Sequence, residues 1–198
     1  MDILFTSALV VALAEMGDKT QLLAIVLATR FRRPWPIIAG ILVATLANHA
    51  LAALAGASIA SLLDGAWFRY CVAASFIFMA AWTLVPDKVD DLSSGTDRFG
   101  PFIATTIAFF LVEIGDKTQV ATIALGARFQ SVALVTAGTT LGMMAANVPA
   151  VFLGHALIKR VPIRALQIGA AALFLMLGLW LAVNIAQPDW FRAVYPVR

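Results

Sequence analysis

Glu15-Met16-Gly17-Asp18-Lys19-Thr20-Gln21 lies inside a long apolar run near the start of the chain. Glu113-Ile114-Gly115-Asp116-Lys117-Thr118-Gln119 lies inside a second such run. The two stretches are 113 − 15 = 98 residues apart, about half of a 198-residue chain. Each sets two acids and a lysine among apolar neighbours, where charge is expensive and marks a functional site by default. Two copies in matching places argue against accident.

The composition around them is that of an integral membrane protein. Hydrophobic residues make up 62% and charged residues 13% of the chain, where a soluble domain has roughly 25% charged. Mean hydropathy is +0.92. The net charge of +3 is small, and no nucleic-acid partner is expected. A single cysteine, Cys71, excludes an intramolecular disulfide and a multi-cysteine metal cluster. Its apolar run predicts a buried bystander. Asp2, and the charges of the first apolar run, differ from the basic start and short core of a cleaved signal peptide. That run therefore reads as a retained membrane segment.

A spanning helix takes about 20 apolar residues. Six stretches meet this: Ile3–Thr29, Pro36–Leu63, Ala66–Val85, Pro101–Arg128, Val132–Ile158 and Ala165–Ala186. Between the third and fourth lies the only long hydrophilic segment, Asp87–Gly100, rich in Asp, Ser and Gly. A tail from Pro188 carries Trp190 and Tyr195, residue types suited to a membrane interface. Sliding the chain by 98 residues aligns Arg30-Phe31 with Arg128-Phe129, Gly40 with Gly138, Gly56 with Gly154, Phe76 with Phe174 and Trp82 with Trp180. His49 falls opposite Asn147. The register predicts an all-α membrane fold of two three-helix repeats, 1–86 and 101–198, joined by a cytoplasmic linker, 87–100. An odd number of spans per repeat turns the second upside down. Inverted repeats of this kind build secondary transporters, with the site at the repeat interface.

Loop charge sets the expected orientation. Arg30, Arg32, Arg33, Lys88, Arg98, Lys159, Arg160 and Arg164 fall on one side, against Arg69, Arg128, Arg192 and Arg198 on the other. The larger group belongs in the cytoplasm, which leaves both termini outside.

Residues three and four apart share a helix face, so Glu15, Asp18 and Lys19 lie together, with Gln21 near Asp18. Glu113, Asp116, Lys117 and Gln119 repeat the arrangement. Carboxylate and amide oxygens suit hard divalent cations. Gly17 and Gly115 allow the helix to unwind and free carbonyls as further ligands. Four carboxylates and two lysines sum to −2, the charge that one divalent cation balances. Crowded carboxylates in a low dielectric also hold protons more readily than in water, so protons can exchange for metal. Ammonium cannot ligate a cation, so Lys19 and Lys117 are expected to neutralise or orient the aspartates, or to replace the departed metal. On an ideal helix Thr20 and Thr118 face away from the acids, where helix–helix hydrogen bonding competes with ligation. Asn48, His49 and Asn147 sit midway along their helices, either as polar packing groups or as lining of the same cavity. No HExxH, GxSxG or GxxxxGK[ST] sequence occurs, so neither a metallohydrolase, a serine hydrolase nor an ATPase is indicated.

The twin E-x-G-D-K-T stretches resemble the signature of the UPF0016, or Gdt1-type, family of divalent cation/proton exchangers. The likeness covers the whole chain: two three-helix halves, one motif in each first helix and an acidic central linker. It implies export of Mn²⁺ or Ca²⁺ from the cytosol against protons, with Glu15, Asp18, Glu113 and Asp116 as cation-site residues. The cation is then cargo, and no cofactor is expected. The compact chain looks bacterial, which implies the inner membrane. A LysE-type amino-acid exporter is the alternative, since two lysines and four acids can in principle hold a zwitterion.

Overall fold

A computed structural model of the chain describes residues 2–63, 65–85, 100–154 and 163–186, the side chain of Ile163 excepted. Among these residues there are eight helices and no strand. They are α1 (Ile3–Glu15), α2 (Lys19–Phe31), α3 (Pro34–Leu62), α4 (Ala66–Thr83), α5 (Pro101–Glu113), α6 (Lys117–Phe129), α7 (Val132–Leu153) and α8 (Ile163–Ala186). The expected first and fourth spans are each two half-helices. The linker up to residue 99, the basic turn apart from Arg164, and the tail with Trp190 and Tyr195 lie outside the described residues.

The breaks have a local cause. Gly17 has φ 86° and Gly115 φ 78°, a left-handed conformation that glycine adopts without the steric cost of a Cβ. Both α1 and α5 end on a glutamate, and both α2 and α6 are preceded by an aspartate in extended conformation. The Asp18 N–H donates to the Glu15 carbonyl, and the Asp116 N–H to that of Glu113, each at 3.1 Å. Asp2 accepts from the Leu4 N–H at 3.0 Å, and Pro34 and Pro101 open α3 and α5.

The halves interlock rather than sit side by side. α1 packs on α7 and, equivalently, α5 packs on α3. Glycine makes both crossings close. A Cβ on Gly40 would meet Thr105 and the Phe102 carbonyl within 3 Å, and one on Gly138 would meet Ser7 and the Leu4 carbonyl. Shifting the second set by 98 residues reproduces the first. Phe76 of α4 stacks on its own repeat mate, Phe174 of α8, with ring centroids 6.4 Å apart. Residues equivalent under the 98-residue shift thus meet each other in the core.

Among the described residues three helices are long and apolar enough to cross a membrane: Pro34–Leu62, Val132–Leu153 and Arg164–Ala186. With the apolar composition, such helices make the chain a membrane protein. Large apolar side chains cover the outside, among them Phe5, Leu46, Phe78, Leu111 and Met176, each more than half exposed except Leu46 at 48%. Cys71, expected to be buried, is exposed. On a lipid-facing helix, apolar surroundings in the sequence do not mean an interior position.

Candidate metal centre

The two breaks meet. One oxygen each from Glu15, Glu113 and Asp116 lies within 4.8 Å of the others. Glu15 is fully buried, Glu113 is 1% exposed and Asp116 is 3% exposed. Carboxylates taken from water without partners cost several kcal/mol each, so the cluster needs cations to be stable.

One cation is built in. Lys19 Nζ lies 2.8 Å from Asp116 Oδ1, so the lysine of the first motif pairs with the aspartate of the second. Lys117, buried at the start of α6, donates to the Val85 carbonyl at 2.8 Å. Asp18 is buried at the equivalent place in the first break but is not one of the clustered three.

The threonines do not face away from the acids, because the helix that would turn them away is interrupted. The Thr20 hydroxyl donates to Glu15 Oε2, and the Thr118 hydroxyl to Glu113 Oε1. Thr118 also reaches Asp116 Oδ2 at 3.4 Å. These contacts span five residues, a separation that an unbroken helix places on different faces. The remaining oxygens, Glu15 Oε1 and Glu113 Oε2, are buried and accept no hydrogen bond. Buried carboxylate oxygens left unsatisfied are what a cation would coordinate.

The glutamines hold the breaks. Gln21 Oε1 accepts from the Gly17 N–H at 3.1 Å, and Gln119 Oε1 from the Gly115 N–H at 2.7 Å. Each carbonyl keeps a second lone pair. Gln21 Nε2 also donates to the Ala146 carbonyl of α7 at 3.1 Å, tying the first break to the other half.

From α3, His49 Nε2 stands 3.7 Å from Glu113 Oε1, and Asn48 Nδ2 donates to the Phe110 carbonyl at 3.0 Å. Asn147 of α7 bonds its own helix at the Met143 carbonyl, 3.1 Å, and sulfur, 3.0 Å. His49 therefore joins the site, Asn48 braces α3 on α5, and Asn147 is satisfied locally except at its Oδ1. The threonine–glutamate bonds escaped sequence reasoning because they exist only once the helix is broken. The glycine four residues before Gln21 and Gln119, followed by Asp and Lys, was the available signal.

The half-helix ends shape the field. α1 and α5 point their C-terminal, negative ends at the cluster, and their last carbonyls lack intrahelical partners. Asp18 and Asp116 make no side-chain cap with α2 and α6. The arrangement is a buried, oxygen-rich, acidic cluster with a lysine paired to one of its carboxylates, the donor type that hard cations favour.

Comparisons with known proteins agree with this chemistry. The profile of the divalent cation/proton antiporter GDT1 family matches residues 3–91 and 101–189, two stretches offset by 98. The "Putative manganese exporter" of Vibrio cholerae serotype O1 is 49% identical over 180 residues, 90% of each chain. The "GDT1-like protein sll0615" of Synechocystis sp. is 27% identical over 197 residues, 88% of this chain and 94% of its own. No solved structure matches. The chain belongs to the GDT1 (UPF0016) family and is a divalent cation transporter.

Proposed function

We propose that this member of the GDT1 family exports Mn²⁺ from the cytosol in exchange for protons, with Ca²⁺ as a second cargo, through one site that both halves build. The observation that carries the reading is the convergence of Glu15, Glu113 and Asp116, one buried oxygen from each within 4.8 Å. Asp18 completes the four carboxylates. Gln21 and Gln119 brace the breaks and can add a lone pair each. The relative named as a manganese exporter supports Mn²⁺ first, and His49 beside Glu113 adds a nitrogen that suits Mn²⁺ better than Ca²⁺.

The same reading takes α1–α2 and α5–α6 as broken spans and α4 as a short one. That gives six spans in two inverted repeats, 1–86 and 101–198, joined by the cytoplasmic linker at 87–100. Both termini then lie outside a bacterial inner membrane. The matched stretches offset by 98 and the paired α1–α7 and α5–α3 packing support it.

Exporting a cation from a compartment negative inside costs about 2.3 kcal/mol per charge per 100 mV, or roughly 4.6 for a divalent ion. Protons moving the other way supply that energy. Glu15 and Glu113 take protons from outside as metal leaves and release them inside as the next metal binds. Asp116 is held by Lys19 between steps, and the lysine withdraws when metal returns. The test is Mn²⁺ flux in liposomes under an imposed pH gradient with the potential clamped. Flux that follows the pH gradient supports the exchange. Flux that follows the metal gradient alone makes the protein a uniporter or couples it to another ion.

A further inference from the structure

Far from the carboxylates, where α3 and α6 end and α4 begins, lies a cavity of about 560 Å³. Arg69, Arg128, Gln130 and Asn184 supply its polar wall. Both arginines line this one cavity, and among the described residues no carboxylate does. Arg128 is seated on Trp180, 5.0 Å from the ring centroid. Its position in the last turn of α6 also suits the helix dipole. That account fails for Arg69, which stands in the first turn of α4, where the dipole disfavours a cation. The repeat supplies a control. Shifted by 98 residues, Arg128 becomes Arg30, which is exposed, and Arg69 becomes Gln167, which is neutral. The paired charge is therefore not a by-product of the duplicated architecture.

Beneath this cavity runs a second, apolar one of about 190 Å³, lined by Ile59, Cys71, Val120 and Ile123 among others. Phe68, Val72 and Ala127 line both. A cationic chamber and an apolar groove thus share a wall on a membrane protein. Arginine suits phosphate oxygens through its planar fork of donors.

We propose that the cavity and groove hold an anionic phospholipid, its phosphate between Arg69 and Arg128 and an acyl chain along Cys71 and Ile123. The site clamps α4 against α6 and is separate from the cation centre.

Cys71 is the only cysteine and is exposed in the groove wall, so the unaltered protein carries its own reporter. The experiment measures the rate of Cys71 alkylation by N-ethylmaleimide in neutral detergent. Dioleoyl phosphatidylglycerol, dioleoyl phosphatidylcholine or inorganic phosphate is titrated in. A basic side chain near an anionic lipid surface is worth about fivefold in affinity, so two give roughly 30-fold. Phosphatidylglycerol should protect Cys71 at roughly 30-fold lower concentration than phosphatidylcholine. Arg69→Gln with Arg128→Gln should erase the preference, and Arg69→Lys with Arg128→Lys should retain most of it. Equal protection by the two lipids in the wild-type chain overturns the proposal, whether or not the variants fold. So does inorganic phosphate that removes the headgroup preference at matched concentration, which would make the ligand a free anion.

Discussion

The two breaks share a motif but not their surroundings. At the second, Ile114 is 54% exposed and Gly115 is open, whereas Met16 and Gly17 of the first are half-buried. Lys117 is buried and bonds the end of α4, whereas Lys19 is 24% exposed and reaches across to Asp116. The packing differs in the same sense. α4 packs on α6 and α8 on α1, while the repeat mates of those contacts, α8 with α2 and α4 with α5, are not comparably packed. The sequence is nearly two-fold and the structure is not. A transporter whose halves exchange these packings has two end states.

The strongest way to break the comparison is through the glutamates. Glu15→Gln and Glu113→Gln keep size and remove charge. If the site is shared, each should fold and each should lose Mn²⁺ transport by about 100-fold or more, since even supporting groups of metal sites are worth 10–100-fold. Transport that survives either change at near wild-type rate removes that glutamate from the site. Next come the threonines. A hydrogen bond to a charged group is worth about 1.5–3 kcal/mol, so Thr20→Val and Thr118→Val should each weaken Mn²⁺ binding by roughly tenfold or more. Thr118 should matter more, because it also reaches Asp116. Equal and negligible losses would mean the hydroxyls only fill space.

A smaller effect is expected at Gly115. A Cβ there meets nothing within 4 Å, so Gly115→Ala carries only the conformational cost of its positive φ, about 1–2 kcal/mol. Thermal unfolding should show that loss, and Gly115→Asn should recover part of it. No loss would mean that the break tolerates a different backbone. The smallest effect belongs to His49→Asn, which makes α3 match α7 at this position. Transport should fall by less than about tenfold, because His49 stands 3.7 Å from Glu113 and adds to the carboxylates without replacing them. A complete loss would make His49 a principal ligand and the halves chemically unequal.

Much of this was legible in the chain. The 98-residue register aligned Gly40 with Gly138, and both sit at close helix crossings, whereas of the aligned Gly56 and Gly154 only Gly56 does. The charged motifs located the centre, because burial leaves charge few other uses. The break itself was open to view only as a possibility at Gly17 and Gly115, since glycine permits a turn without dictating one. What depended on the break was therefore hidden: Thr20 and Thr118 turn toward the glutamates, and Gln21 and Gln119 toward the glycine amides. Cys71 was misjudged because a membrane helix is apolar on its outer face too. The pairing of Lys19 with Asp116 could not be read at all, since local spacing gives a lysine its own aspartate and only the crossing of the halves offers it the other.

Whether the two halves make one site is tested most directly by counting bound Mn²⁺. Equilibrium binding to purified protein, followed by the paramagnetic resonance of free Mn²⁺, gives the number of ions per chain. The shared site predicts one tight ion per chain, weakened as pH falls because protons compete for the same oxygens, and lost in both Glu15→Gln and Glu113→Gln. Two tight ions per chain, or one variant that keeps its ion while the other loses it, would contradict a single centre built by both halves.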